Sequence, residues 1–273
     1  MSSKNKKDIP LVSVIIPVYN MQDYLEECVD SIASSLYPAI EIIIADDGSQ
    51  DDSYRTAMKL AEKWRQRCSI KIIHQKNQGV SSARNNAIAA ASGEFILPVD
   101  GDDKISPQFI GDAVNVFLKD SKVKVVIPRA EKFGEEHGEW VLPDFSLELL
   151  ARKNFICATA MYRKSDWEKV GGYCEDFKGF EDWDFWIAML KEGGNVVKLG
   201  DIGFYYRKRK GSKRIADRKF KKEMISKLNQ RHPEFFQRVL GGPLRFHRSW
   251  SKLFNRLERF YIRLIHGYRT AWQ

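Results

Sequence analysis

The sequence predicts an α/β protein with a largely parallel central sheet and helices on both faces. Three observations lead there. Short apolar runs alternate with segments of helical period through the first hundred residues, the signature of successive βα units. Those runs are bounded by Gly or by clustered acids, as buried strands are. Three of them deliver polar or acidic residues to their C-terminal ends, the edge at which such sheets bind ligands.

Taken in order, residues 12–20 (V-S-V-I-I-P-V-Y-N) form a strand that ends in a turn at Tyr19 and Asn20. Residues 23–36 place Tyr24, Leu25, Cys28, Val29, Ile32 and Leu36 at helical spacing. A second strand over 41–45 runs into the turn that holds Asp46 and Asp47, and a helix over 53–67 offers Met58, Leu60, Ala61 and Trp64 for burial. The third strand, 69–75, leads to an Ala-rich helix reaching residue 91 and closed by Gly93. The fourth strand begins at Phe95 and carries Asp100, Asp102 and Asp103 at its end. Beyond it the pattern predicts a helix over 112–118, a strand over 123–128, a hairpin or loop over 131–144 and a strand over 155–162. Ser165 and Glu168 have capping-box spacing, so a short helix should start there and stop at Gly171-Gly172. Residues 182–190 space Phe185, Trp186 and Met189 to bury one helix face, with Glu181 and Asp182 at its N-terminus.

At 273 residues with 43% hydrophobic content, the chain suits one large α/β domain plus an appendage. Cys28, Cys68, Cys157 and Cys174 are widely spaced and form no C-x-x-C, which speaks against a zinc site or a disulfide framework. Free thiols in a reducing compartment are the expected state. The polar, lysine-rich start and the apolar run ending at Pro17 are too short for a signal peptide or a membrane span, so a cytoplasmic location is expected. The net charge of +9 is uneven. Residues 207–273 hold 20 Lys/Arg against 4 Asp/Glu, leaving 25 against 32 for residues 1–206. Such a tail suits anionic lipid, an anionic substrate, nucleic acid or plain solvent. Nucleic acid is disfavoured, because the acid-rich remainder would repel phosphate backbones and no reading module is visible.

Three carboxylates within four residues, Asp100, Asp102 and Asp103, repel one another, and a cation offsets that repulsion. Hard oxygen donors suit Mg²⁺ or Mn²⁺, ions that keep positions open for substrate phosphates. Read alone, the stretch is equally an Asp/Gly turn that caps the next helix. The absence of G-x-G-x-x-G after the first strand speaks against a dinucleotide site, and the absence of G-x-x-x-x-G-K against a P-loop. A single nucleotide still fits. An Asp at the second strand end accepts from a base N–H, while Tyr19 packs beside a ring.

Five motifs in order, S-V-I-I-P-V-Y-N (13–20), A-D-D-G-S-Q-D-D-S (45–53), N-Q-G-V-S-S-A-R-N-N-A (77–87), V-D-G-D-D (99–103) and G-F-E-D-W-D-F-W (179–186), resemble the inverting glycosyltransferases of family 2. The resemblance covers about residues 11–212. It implies a GT-A fold in residues 1–212, with a nucleotide-sugar half over about 11–103 and an acceptor half over about 104–212, and a basic helical extension over 213–273. It further implies that Pro17, Tyr19, Asn20, Asp46 and Asp47 form the nucleotide site, with Asp47 accepting from uracil N3–H if the donor is UDP-linked. Asp100 would reach the ribose, and Asp102 with Asp103 would hold Mn²⁺ or Mg²⁺ on the diphosphate. Arg84 would stand near the donor, its alternative being a helix-surface arginine paired with an acid. Asp182 would be the base that deprotonates the acceptor hydroxyl, with Glu181 and Trp183 near the acceptor.

One departure matters. Where many relatives have Y-R-x-H, this chain has Arg209, which cannot ligate a cation. Arg207 or Arg209 would pair with phosphate oxygens, or else belong to a basic surface. Further on, Phe220, Met224 and Leu228 recur on a lysine-rich helix, Pro233 opens another helix, and Gly241-Gly242-Pro243 breaks it. Residues 244–268 then make an Arg-rich amphipathic stripe, the pattern of a membrane-surface helix or of one packed on the catalytic part or a partner. The expected activity is transfer of a sugar to a surface-glycan or lipid-linked acceptor at the inner face of the membrane. Set against it are a catalytically inactive nucleotide-sugar-binding relative and a sugar-1-phosphate nucleotidyltransferase. The latter would want a Gly-rich basic loop where P-V-Y-N stands.

Overall fold

The computed structural model describes residues 9–209 and 220–245. The amphipathic stripe predicted over 244–268 lies outside them except for its first two residues, as do the start of the chain and residues 210–219. The first half is built from β1 (Val12–Val18), α1 (Leu25–Ala33), β2 (Ile40–Asp46), α2 (Ser53–Trp64), β3 (Ser69–His74), α3 (Val80–Ala89) and β4 (Phe95–Pro98). The second half comprises β5 (Lys104–Ile105), α4 (Phe109–Lys119), β6 (Val123–Gly134), β7 (Gly138–Trp140), α5 (Leu147–Arg152), β8 (Met161–Arg163), α6 (Lys164–Val170), α7 (Glu181–Leu190) and β9 (Asn195–Lys208). Two further helices follow, α8 (Lys221–Arg231) and α9 (Pro233–Leu240).

The strands make one mixed sheet ordered β3-β2-β1-β4-β8-β6-β9-β5, with β7 paired to β6. The first four are mutually parallel, and β6 and β9 are parallel; β8 runs antiparallel to both β4 and β6 and joins the two blocks. The chain winds outward from β1 through β2 to β3, then returns to place β4 on the other side of β1. That reversal opens a crevice beyond the C-terminal ends of β1 and β4, the place where α/β sheets take ligands.

Both faces of the sheet are buried, which is why the first runs are continuously apolar. Val14, Ile16, Ile42, Ile44 and Leu97 face α1, α2 and α4. Ile15, Ile43 and Ile96 face the opposite core, which holds α3, α5, α7 and the buried side chains of α8 and α9, including Met224, Leu228, Phe235 and Phe236.

Several local expectations give way. Leu36 and Met58 are 71% and 51% exposed, and Ala57 fills the position on α2 that Met58 was expected to take. α3 ends before Gly93, whose role is close approach: a Cβ there would sit 2.5 Å from Ser13 Oγ. The strand expected over 155–162 shrinks to β8, since residues 153–160 leave the sheet to line the cleft described below. α6 starts at Lys164 with Arg163 before it and no side-chain cap, so the Ser165/Glu168 spacing makes no capping box, although Gly171 and Gly172 end the helix at φ 79° and 76°. β5, α5 and the 14-residue β9 carry no sequence expectation.

Candidate active site

A cleft of about 950 Å³ opens at the crevice beside β1 and β4. Its donor side is made by strand ends. Pro17 lies in the last residues of β1 and the half-exposed Tyr19 follows it, Asp47 follows β2, and Asp100, Asp102 and Asp103 follow β4. Asp47 is buried because its carboxylate holds the β3–α3 loop: it accepts from Gln75 Nε2, Gln78 N and Gly79 N, each at 2.8 Å. One of its roughly four lone pairs is left for a ligand. Asp46 and Asn20 do not line the cleft. Strand alternation turns Asp46 to the opposite face, where it meets His74 Nδ1 at 2.7 Å. Asn20, at φ 54°, ties the two turns together by accepting from Gln50 N and donating its own N–H to Ser49.

Arg84 is the hub. Its guanidinium, 3% exposed, donates to Asp100 at 2.8 Å and to Glu181 at 3.5 Å, and lies 5.5 Å from the Tyr173 ring. Burial alone would favour the neutral form, but Asp100, Tyr173 and Glu181 outweigh it and hold the side chain charged. The surface-helix alternative for Arg84 therefore fails, while its pairing with acids stands.

The C-terminal end of β9 closes over the acids. Arg207 donates its backbone N–H to Asp103 Oδ1 and its Nε to the Asp102 carbonyl, both at 2.7 Å. Its guanidinium turns to Glu27 on α1, between the Phe133 and Tyr24 rings, so it is engaged away from the cleft centre. Arg209 instead reaches the cleft and donates Nε to Asp102 Oδ2 at 2.7 Å. Burial and then Asp100 raise Asp102, with Arg209 opposing; burial and both neighbouring acids push Asp103 well above the carboxylate range.

Asp102 gives one oxygen to Arg209 and Asp103 one to the Arg207 N–H, and each keeps the other. This donor set fits Mg²⁺ or Mn²⁺, which needs only one or two carboxylates when substrate phosphates complete its shell. It is not a closed cage, since no group of three or more Asp, Glu, His or Cys among the described residues is arranged to hold a metal.

The far side of the cleft belongs to α7. Gly179 and Phe180 precede it with φ 88° and 64°, a left-handed pair that a non-glycine adopts only under constraint. The turn sets Glu181 and Asp182 at the helix start, facing the cleft. A helix N-terminus favours the carboxylate anion, yet burial dominates here: burial and then Glu181 push Asp182 up to about 6, opposed by Asn154, Arg84 and the Trp183 N–H. Trp183 is buried, with its indole N–H on the Leu150 carbonyl at 2.6 Å. Sequence reasoning missed Asn154 and Tyr173. Asn154 sits in an irregular segment with no pattern, and Tyr173 follows a Gly-Gly turn that signals only a helix end.

Beneath α7, Asp184 is 1% exposed and accepts from Arg231 Nε and His232 Nε2, both at 2.8 Å. That cluster anchors α8 and α9 to the helix carrying Asp182, and it brings Lys221 and Arg245 to the cleft wall.

The fold has counterparts. The chain superposes on a structure of Staphylococcus aureus TarS 1-349 in complex with UDP-GlcNAc at a TM-score of 0.66 and 22% identity, covering 85% of this chain and 73% of that one. It superposes on the mannosyltransferase PcManGT from Pyrobaculum calidifontis, in complex with GDP-Man and Mn²⁺, at 0.68 and 19% identity, covering 86% and 69%. These likenesses show the expected GT-A fold. In sequence it is 28% identical to chondroitin synthase from Escherichia coli over 71% of this chain, and it spans 28% of the length of that relative. The model of glycosyl transferase family 2 matches residues 13–184, from β1 through the first acids of α7, and the chain belongs to that family.

Proposed function

We propose that the protein is a metal-dependent, inverting glycosyltransferase that moves a hexosyl or N-acetylhexosaminyl group from a nucleoside-diphosphate donor, UDP-linked, to a hydroxyl of a surface glycan or lipid-linked acceptor. The observation that carries this reading is one cleft with two chemistries: Asp102 beside Arg209 at the strand ends, and Asp182, poised at about 6, at the α7 N-terminus. Inversion needs a base on the face opposite the leaving group, and at neutral pH a carboxyl with this pKa is mostly ionised yet more basic than a free one. Arg84 links the two sides by holding Asp100 and Glu181 at once. Tyr19, Pro17 and Asp47 would receive the base and Asp100 the ribose. A divalent cation at Asp102 and Asp103 would supply positive charge for the departing diphosphate. That proteins of like fold are described with UDP-GlcNAc and with GDP-Man and Mn²⁺ supports this donor class.

No helix among the described residues is long and apolar enough to cross a membrane. A cytoplasmic site of action at the inner membrane face, reached through residues 244–268, belongs to the same proposal. The test is calorimetric titration of the protein with UDP, GDP and dTDP, each with and without Mn²⁺. Metal-dependent binding of UDP is expected. Failure of all three nucleotides to bind in the presence of metal would leave an inactive relative as the better description.

A further inference from the structure

The wall of the cleft beside Asp182 has a charge that the donor does not explain. Arg152 and Lys153 end α5, next to Asn154 and its hydrogen bond to Asp182. Lys221 and Arg245 line the same cleft, brought there by the anchoring of α8 and α9. Arg152 shares itself with Glu148 at 3.5 Å. Lys153 and Arg245 are exposed and make no ion pair with a described residue. The diphosphate end is already served by Arg84 and Arg209. Trp140 and Tyr206, with ring centroids 5.0 Å apart, line the same cleft and offer an apolar face of the kind that packs on a sugar ring.

Two carboxylates, Glu181 and Asp182, lie at the point where an acceptor hydroxyl would be activated. A negatively charged acceptor would be repelled there unless its charge met cations further out. A concave wall lined by one sign of charge concentrates ligands of the opposite sign.

We infer that the acceptor is an anionic glycan, carrying a phosphate or a carboxylate near the attacking hydroxyl, with Lys153 and Arg245 meeting that charge. The inference rests on the glycosyl-transfer reading of the cleft and narrows its acceptor. Phosphodiester and uronate chains share the chemistry that this wall recognises.

The test uses the full chain saturated with UDP and Mn²⁺ and titrates three probes: a chondroitin tetrasaccharide, a glycerol-phosphate hexamer and neutral chitotetraose. At least one anion should bind about tenfold or more tighter than chitotetraose, and raising salt from 50 to about 300 mM should erase most of that margin. The double variant Lys153→Glu/Arg245→Glu should weaken the anion about tenfold and leave UDP affinity within about twofold, which also reports that the variant is folded. Which anion wins separates phosphate from carboxylate. Equal or tighter binding of chitotetraose, no binding of either anion, or indifference to the charge reversal would overturn the inference. UDP titration of the same samples tells whether the donor reading fails with it.

Discussion

Arg209 Nε donates to Asp102 Oδ2 at 2.7 Å, so an arginine occupies one oxygen of the carboxylate proposed to hold the cation. The pair is only 28% and 17% exposed, which strengthens it relative to a surface ion pair. Arg209 and a cation therefore compete for Asp102, while both attract a diphosphate. The two roles have opposite signs in a variant. Arg209→Gln should raise Mn²⁺ affinity in the absence of nucleotide by about tenfold, through loss of the competitor, and lower UDP affinity in the presence of Mn²⁺ by a similar factor. Electron paramagnetic resonance of Mn²⁺ and calorimetry of UDP read the two separately. A parallel fall in both would make Arg209 a structural brace only.

Asp182→Asn should reduce transfer by about 10²- to 10⁴-fold while leaving UDP binding within about twofold. In the native protein the acidic limb of kcat/KM should fall as pH drops through about 6, where Asp182 takes up its proton. The same shift has a cost in stability. Its folded-state value lies above the ordinary 3.8, so the unfolded chain ionises first and the folded state is progressively penalised as pH rises from about 4 to 6. Asparagine escapes that penalty. The variant's Tm should match the native protein's near pH 4 and exceed it at pH 7.5, with a gain on the order of 1–3 kcal/mol. A variant less stable at both pH values would show that the Asn154 and Trp183 hydrogen bonds to the carboxylate dominate instead.

Removing Arg84 leaves Asp100, 37% exposed, and Glu181, 13% exposed, at the cleft without their shared cation. Arg84→Met should cost about 1–3 kcal/mol in urea unfolding, less than breaking a fully buried pair, because water at the cleft screens the Asp100 left behind. Arg84→Lys keeps charge but not the fork, so it should recover part of the stability and little of the UDP affinity. Full recovery of both would reduce Arg84 to a point charge.

Legibility followed the physics of each segment. β1 to β4 could be read because strands buried on both faces leave uninterrupted apolar runs, and their ends could be read because acids such as Asp47 and Asp100 are out of place in a core. The α7 acids were legible from Phe185, Trp186 and Met189, all buried as spaced. β9 was not legible: only Gly203 and Phe204 are buried along its 14 residues, so the alternation that marks a strand is missing. Asp46 and Asp47 looked equivalent in sequence, and only the strand's alternation separates the one on His74 from the one in the cleft. The pairing of Arg209 with Asp102 spans 107 positions and depends on how β9 enters the sheet, which no local pattern encodes.

Both apolar packing and a buried charge hold α8 and α9 in place. Met224, Leu228, Phe235 and Phe236 bury them in the core shared with α5 and α7, and Asp184 adds the only carboxylate among the described residues that meets Arg231 and His232. Asp184→Ala removes that anchor and strands the buried His232 donor, while the 41% exposed Arg231 can turn to solvent, at a cost of about 1–3 kcal/mol. If the hydrophobic contact is subordinate to this anchor, the two helices should come loose first. Limited trypsin digestion followed by mass spectrometry should then cut the variant within α8 while the sheet and α7 persist, and the acceptor wall should lose Lys221 and Arg245. UDP binding should survive, because Asp47, Asp100 and Asp102 lie at strand ends in the other half of the sheet. Simultaneous loss of α8 and of UDP binding would instead make the C-terminal helices part of the same cooperative unit as the nucleotide site.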